Sequence, residues 1–328
     1  MSPFRVFRSL DAVPADFGPS ALTIGNFDGL HAGHRRIMRR VAAIGEGYGW
    51  RPSVLTFDPH PTRVVAPART PKLMTTTEQR CELMRGEGIE QVLVLPFTVE
   101  LAQAPPEEFA ARILAGKLGA RMVLVGDNFR FGARQAGDTE TLRELGEKYG
   151  FRVEILTGVR RHGRMVSSSG VRKLIQNGEV ALAARFLERP HSVEGRIVSG
   201  FGIGSKQTVP TLNLATEAEI LPANGVYVTR TYDLEAARDW NSITNIGYRP
   251  TFGGDALTVE TFLLAPLDGG APERIRLEFL RRVRAERKFE SPEALRAQIL
   301  RDVGRANAYF RRYRRWVGAA GWGSREGN

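Results

Sequence analysis

The stretch Ile24-Gly25-Asn26-Phe27-Asp28-Gly29-Leu30-His31-Ala32-Gly33-His34 joins a short apolar run, Ala21-Leu22-Thr23-Ile24, to a segment with helical spacing, Arg35 to Ile44. In that segment Ile37, Val41 and Ile44 share one face. Two histidines therefore sit where a buried strand turns into a helix. Free backbone N–H groups and the positive end of the helix dipole make such a corner an anion site. Gly25, Gly29 and Gly33 let the backbone bend and approach a ligand closely. His31 and His34 are three apart and so lie on one face of the first helical turn. Imidazoles placed at a phosphate corner can donate hydrogen bonds to charge building up on phosphate oxygens, which suits nucleotidyl transfer.

Composition narrows the class. At 328 residues, two domains with their own cores are expected. Apolar and charged fractions of 42% and 25% are those of an ordinary globular protein. No apolar run approaches a membrane span, and the N-terminus lacks the apolar core of a signal peptide. The single cysteine, Cys81, excludes an internal disulfide and fits a reducing cytoplasm, the expected location. A net charge of +11 invites a nucleic-acid reading. From Ala271 onward, however, 15 Lys/Arg face 7 Asp/Glu, interleaved as on a solvated helix face. Small phosphorylated substrates suit such a balance, and neither a nucleic-acid nor a membrane partner is expected; an oligomer is left open.

Residues 1–20 are polar and proline-broken, a lead-in. Pro52 to Phe57 reads as the next strand, completing a βαβ unit and starting a parallel sheet. It ends at Asp58-Pro59-His60-Pro61, at the carboxyl end of a strand, where open α/β sheets bind ligands. His60 there is as readily a loop residue bonded to nearby backbone as a ligand contact. A helix over Thr77 to Arg85, a strand over Gln91 to Phe97, a helix over 106–118 and a strand over Arg121 to Gly126 follow. The last strand empties into Asp127-Asn128-Phe129-Arg130-Phe131-Gly132. Another helix (Thr139 to Tyr149) and strand (Val153 to Leu156) precede Val166-Ser167-Ser168-Ser169-Gly170-Val171-Arg172, which opens a helix with hydroxyls at its start and an arginine one turn in. Capping alone explains a serine there, while an arginine can grip phosphate oxygens with a bidentate fork.

The helix Ala181 to Leu187 closes the first half, and Glu188-Arg189-Pro190 reads as a linker. From His191 to about Leu280 short strands, frequent glycines and turn pairs such as Asn224-Gly225 and Gly253-Gly254 predict a small antiparallel barrel. A capped helix begins at Ser291-Pro292, with Leu295, Ile299, Val303 and Ala306 on one face. Val317 to Asn328, rich in glycine, reads as a flexible tail. Inside the barrel region Gly200-Phe201-Gly202-Ile203-Gly204-Ser205-Lys206 fits neither a Walker A loop nor a dinucleotide fingerprint. It leads into Thr208-Val209-Pro210-Thr211-Leu212-Asn213. Further blocks are Asn245-Ile246-Gly247-Tyr248-Arg249-Pro250-Thr251, Val259-Glu260-Thr261 and Phe279 to Phe289.

The eleven-residue string resembles the HxGH nucleotidylyltransferase signature in its Gly-Asn-Phe-Asp-Gly-x-His-x-Gly-His form. Over about residues 20 to 315 the chain is similar, in motif order, to the prokaryotic bifunctional riboflavin kinase/FMN adenylyltransferases, or FAD synthetases. The resemblance implies a Rossmann-like parallel α/β nucleotidylyltransferase domain over 1–188. A small antiparallel β-barrel riboflavin-kinase domain with a C-terminal helix follows over 189–316, then the tail 317–328. It implies ATP-dependent phosphorylation of riboflavin to FMN and adenylylation of FMN to FAD with release of pyrophosphate. His31 and His34 become catalytic; Gly25, Asn26, Phe27, Asp28, Gly33, Asn128, Ser168, Ser169 and Arg172 bind nucleotide; His60 and Asn128 face the flavin. Ser169 stands where the family has threonine. In the second half Pro210-Thr211-x-Asn213 resembles the Pro-Thr-x-Asn signature, implying Thr211 and Asn213 as ligands of Mg²⁺ and, with Gly200, Gly204 and Pro210, of nucleotide phosphates. Glu260 is the implied base for the ribityl hydroxyl. Thr208-Val209 replaces the family's Gly-Phe. Two alternatives stay open: an adenylyltransferase whose barrel binds flavin without kinase activity, and a basic RNA-binding or regulatory module on the same fold.

Overall fold

The computed structural model describes residues 3–198, 211–251, 254–267 and 269–319, and of 249–251, 254–256 and 313–319 the backbone alone. The chain forms two compact units, Met1–Gly170 and Val171–Asn328.

The first unit opens with β1 (Arg5–Phe7), inside the segment expected to be an irregular lead-in. Three residues are too short to show a period; what makes them a strand is a parallel partner far along the chain. Then come β2 (Ser20–Ile24), α1 (Ala32–Tyr48), β3 (Arg51–Asp58), α2 (Pro61–Val65), α3 (Thr77–Arg85), β4 (Gln91–Pro96) and α4 (Val99–Gln103). The helix expected over 106–118 starts as α5 (Pro106–Glu108) and continues as a wider π-helix, Phe109–Lys117. Next are β5 (Ala120–Gly126), α6 (Thr139–Tyr149), β6 (Arg152–Leu156) and a small hairpin of β7 (Arg160–Arg161) and β8 (Arg164–Met165).

Strands β1 to β6 form one parallel sheet in the order β1-β4-β3-β2-β5-β6. Connections after β2 run one way to β3 and β4, and later ones run the other way to β5 and β6. That reversal opens a crevice beyond the carboxyl end of β2, the place where such sheets take ligands. All five residues of β2 are buried, as a strand covered on both faces requires. Leu22 and Ile24 pack with Leu55, Leu93, Val123 and Leu114 on one face. Ala21 packs on the other with Val54, Val92 and the α1 residues Met38, Val41 and Ile44.

Helix α7 (Ser168–Gln176) spans the division between the units, and α8 (Val180–Leu187) belongs to the second. The compact units thus divide inside α7, upstream of Glu188-Arg189-Pro190. Strands β9 (His191–Val198), β10 (Thr211–Ala215), β11 (Gly225–Asp233), β12 (Asp239–Thr251), β13 (Gly254–Leu263) and β14 (Arg274–Ala285) close into an antiparallel barrel, in the order β10-β13-β12-β11-β14-β9. Val180 of α8 joins the barrel core of Leu212, Leu214, Tyr227, Ile246, Val259 and Phe279. Interior threonines and a serine make a hydroxyl ladder: Thr231 to Ser242 and Ser242 to Thr229 at 2.8 Å, Thr229 to Thr244 at 2.7 Å, and Thr244 to Thr261 at 2.8 Å. Each buried hydroxyl is satisfied by another, so β-branched polar residues fill the barrel without unmet hydrogen bonds.

On the outside of the barrel, α9 (Pro292–Ala319) lays Ala306 and Phe310 on Val226, Val228 and Ile243. Arg284 Nε donates to Asp302 Oδ2 at 2.7 Å, tying the helix to β14. The helix takes in the first three residues of the segment expected to be a tail; residues 320–328 lie outside those described.

Candidate functional site

At the carboxyl end of β2 the chain turns through residues 25–30 before α1 begins. Phe27 (φ 51°) and Leu30 (φ 38°) lie in the left-handed region although neither is glycine, and Gly29 (φ 73°) lies between them. Such strain persists only where the surroundings over-determine the backbone, and here they do. The Asp28 carboxylate is buried and accepts hydrogen bonds from the amides of Met74 (3.0 Å) and Thr75 (3.2 Å) and from the Thr75 hydroxyl (3.1 Å). Thr75 Oγ1 in turn accepts from the Gly29 amide at 3.1 Å. The Asn26 carbonyl accepts from Arg80 Nη1 at 2.8 Å. Asp28 thus fixes the loop from behind, an arrangement that its place in the motif could not reveal.

His31 caps α1: its Nδ1 accepts from the His34 amide at 3.4 Å, leaving Nε2 to carry the proton of the neutral ring. The two imidazoles stack with centroids 3.7 Å apart and planes 18° from parallel, and the edge of Phe27 meets His34 at 5.1 Å. Gly33 leaves the rings room, since a Cβ there would stand 3.1 Å from His31 Cε1 and 3.2 Å from Nδ1, close enough that the imidazole would have to shift. His34, Gly25, Asn26 and Phe27 are among the residues lining a cavity of about 810 Å³. Asn128, the aromatic residues Phe57, Phe97, Phe129 and Phe131 and the arginines Arg130 and Arg134 are also among its lining. Phe129 and Phe131 stack at 5.5 Å, and Phe57 meets Phe97 edge-on at 5.5 Å. A lining that combines a glycine loop, a histidine, two arginines and several aromatic rings fits a ligand that carries both phosphates and a flat ring system.

His60 caps α2, its Nδ1 accepting from the Thr62 amide at 3.3 Å; its neighbours Pro61 and Thr62 line the cavity. Of the serine run, Ser167 Oγ caps α7 through the Gly170 amide (3.2 Å). Ser168 Oγ donates to the Asp28 carbonyl (3.1 Å), joining the start of α7 to the histidine loop, and Ser169 is exposed. Arg172 lies one turn further along α7, in the second unit.

The second constellation is built by strand register. Thr211 and Asn213 alternate onto one face of β10, and Asn213 pairs across to Glu260 of β13. Glu260 pairs on its other side with Asn245 of β12. The row Asn213–Glu260–Asn245 has the parity of the outward residues Ile243 and Phe262, so it lies on the outer barrel face, the face α9 partly covers. The carboxylate is thus flanked in register by two amide side chains. Asn245 stood in a quoted block without a role; only register reveals it. Gly200, Gly204, Pro210 and the Thr208-Val209 pair lie outside the described residues. No cluster of three or more His, Cys, Asp or Glu able to hold a metal occurs among the described residues. Thr211 and Asn213 nevertheless offer the neutral oxygen donors that a hard divalent cation accepts.

Family models divide the chain as the two constellations do. The FAD synthetase family matches residues 13–170, and the riboflavin kinase family matches 187–310. A bifunctional riboflavin kinase/FMN adenylyltransferase of Pseudomonas fluorescens is 34% identical over 305 residues, covering 93% of this chain and 97% of its own. The enzyme of the same description from Escherichia coli K12 is 31% identical over 310 residues, covering 94% and 98%. In fold, the chain resembles the crystal structure of a Streptococcus pneumoniae protein described as a macrolide-efflux protein. The TM-score is 0.80 at 24% identity, over 90% of this chain and 96% of that one.

Proposed function

The chain belongs to the bifunctional riboflavin kinase/FMN adenylyltransferase family, and on that premise we propose how its residues divide the two reactions. The protein phosphorylates riboflavin to FMN at the expense of ATP and adenylylates FMN to FAD. The observation that supports the assignment of sites is the stacked His31–His34 pair, of which His34 lines, with the Gly25–Phe27 loop, a cavity that also carries aromatic rings and two arginines.

In adenylyl transfer an FMN phosphate oxygen attacks the α-phosphorus of ATP, the bond to the β-phosphate breaks, and pyrophosphate leaves. His31 and His34 donate hydrogen bonds to the α-phosphate oxygens as charge accumulates there. Gly25, Asn26, Phe27 and Gly33 let backbone amides approach the phosphates. The hydroxyls of Ser168 and Ser169 and the guanidinium of Arg172 take the remaining phosphate charge, and Asn128, with His60 nearby, faces the flavin. In phosphorylation Glu260 accepts the proton of the ribityl hydroxyl as that oxygen attacks the γ-phosphorus and ADP leaves. Thr211 and Asn213 would hold Mg²⁺, which neutralises phosphate charge when bound; Gly200, Gly204 and Pro210 complete the nucleotide loop.

We assign the adenylyltransferase to 1–188 and the kinase to 189–316, and we place the enzyme in the cytoplasm. No described helix is long and apolar enough to cross a membrane. The decisive experiment incubates the purified chain with riboflavin, ATP and Mg²⁺ and resolves FMN from FAD by chromatography. Sequential appearance of both supports two working sites. FMN alone, or FAD only from supplied FMN, removes one of them.

A further inference from the structure

Arg80, on α3, is 1% exposed and makes no ion pair with a carboxylate among the described residues. Burying a guanidinium is costly unless hydrogen bonds satisfy it. Its two terminal nitrogens are satisfied, while Nε has no hydrogen-bond partner among the described residues. Nη1 donates to the Asn26 carbonyl at 2.8 Å, and Nη2 donates to Thr77 Oγ1 at 2.8 Å, which itself donates to Asp58 Oδ2 at 3.0 Å. The guanidinium is thus held on α3 and holds one carbonyl of the histidine loop.

That carbonyl belongs to the Asn26–Phe27 peptide. The peptide is trans, so its N–H points opposite to its C=O. Pinning the carbonyl toward Arg80 directs the Phe27 N–H away from α3. Gly25, Asn26 and Phe27 line the cavity, whereas Arg80 does not. The amides of Asn26 and Phe27 donate no hydrogen bond among the described residues. The same peptide plane sets φ of Phe27, which stands at 51°, a conformation a phenylalanine adopts only under constraint. A pinned carbonyl, an unspent amide and a strained torsion therefore meet at one peptide bond.

We propose that Arg80 is a positioning residue for adenylyl transfer: from behind the loop it fixes the Asn26–Phe27 peptide so that the Phe27 amide faces the phosphates of ATP. This rests on reading the histidine corner as the adenylyl-transfer site. Arg80 makes and breaks no bond and touches no substrate. Its charge, buried beneath the loop, adds to the positive potential of the α1 N-terminus on the phosphate side.

The test uses the full chain with Arg80→Met and Arg80→Lys. Three quantities are measured: FAD formation from FMN with its separate kcat and KM for ATP, equilibrium binding of a non-hydrolysable ATP analogue and of FMN, and riboflavin phosphorylation. Arg80→Met is expected to lower kcat/KM for ATP in FAD formation by about 10- to 100-fold, the scale of misplacing a donor and less than that of removing it. Analogue binding weakens, FMN binding stays within about twofold, and riboflavin phosphorylation is unchanged. Arg80→Lys, which can still donate to the Asn26 carbonyl, is expected to recover most of the loss. FAD formation within about twofold of the parent in Arg80→Met overturns the proposal. So does a loss in which FMN binding falls alongside ATP binding, because collapse of the first unit would then explain it. A His34→Ala variant separates the two readings: normal FAD formation there removes the corner's assignment itself, whatever Arg80 does.

Discussion

Glu260→Gln keeps the side chain's size and removes its basicity. FMN formation is expected to fall by roughly two to four orders of magnitude. FAD formation from supplied FMN should stay near the parent value, and equal loss of both would refute two separate sites. His31→Ala combined with His34→Ala should invert that pattern, at about a hundredfold or more per donor, read as FAD formation from FMN. A third residue-scale expectation concerns stability. His191, at the start of β9, has its Nε2 buried without a hydrogen bond, and burial, helped by Arg189, holds the imidazole down at about 4. Its folded value lies below the unfolded one, so between pH 6.5 and 4 the unfolded chain takes up a proton that the folded chain refuses. The stability it contributes is present above that window and is lost as pH falls through it, by up to ~3 kcal/mol. Urea unfolding of the parent should weaken from pH 7 to 5 more steeply than that of His191→Leu; parallel slopes would dismiss the idea.

Single elements carry their own tests. The first turn of α1 works because Gly33 leaves room for the stacked rings, and Gly33→Ala must push the His31 imidazole aside. Displacement of a catalytic group by a fraction of an ångström commonly costs tenfold or more. FAD formation should therefore drop about that much while phosphorylation is untouched. Helix α9 is fastened by Asp302, buried with Arg284 and also accepting from Gln298 Nε2 at 2.7 Å. Asp302→Ala leaves a largely buried guanidinium without its partner, a change that costs about 3–5 kcal/mol in comparable settings. A lowered melting temperature of the second unit is expected, with adenylylation of FMN retained at temperatures below it. At this scale the helices of the first unit were largely legible from apolar spacing, because each repeats a contact with one sheet face every turn. Strand β1 was not legible, since a three-residue strand owes its existence to β4 and Gln91.

At the scale of the molecule, the join between the activities is testable by truncation. A fragment beginning at Glu188 contains Thr211, Asn213 and Glu260 and is expected to phosphorylate riboflavin. It lacks α8, whose Val180 is fully buried in the barrel core. A fragment beginning at Val171 should therefore make FMN at a similar rate and melt at a higher temperature. Val180→Ala in the longer fragment should remove part of that extra stability, on the order of 1 kcal/mol. Identical melting of the two fragments would show that α8 adds nothing to the barrel.

The local chemistry of this protein was determined by sequence alone: a strand, a glycine loop and a capped helix carrying two histidines, then a change from helix–strand alternation to short glycine-punctuated strands. Those features depend on neighbours within a few residues, where backbone geometry and spacing are strongly coupled. Tertiary structure alone decided which face each distant residue shares. Asn213, Glu260 and Asn245 lie 47 or fewer positions apart and become one row only through register across three strands. Asp28, in the middle of the most informative motif, turns out to hold Met74 and Thr75, and Arg80, in an unremarked helix, holds the carbonyl of Asn26. Hydrogen bonds that span some fifty residues are specified by how elements pack, and no periodicity along the chain encodes them.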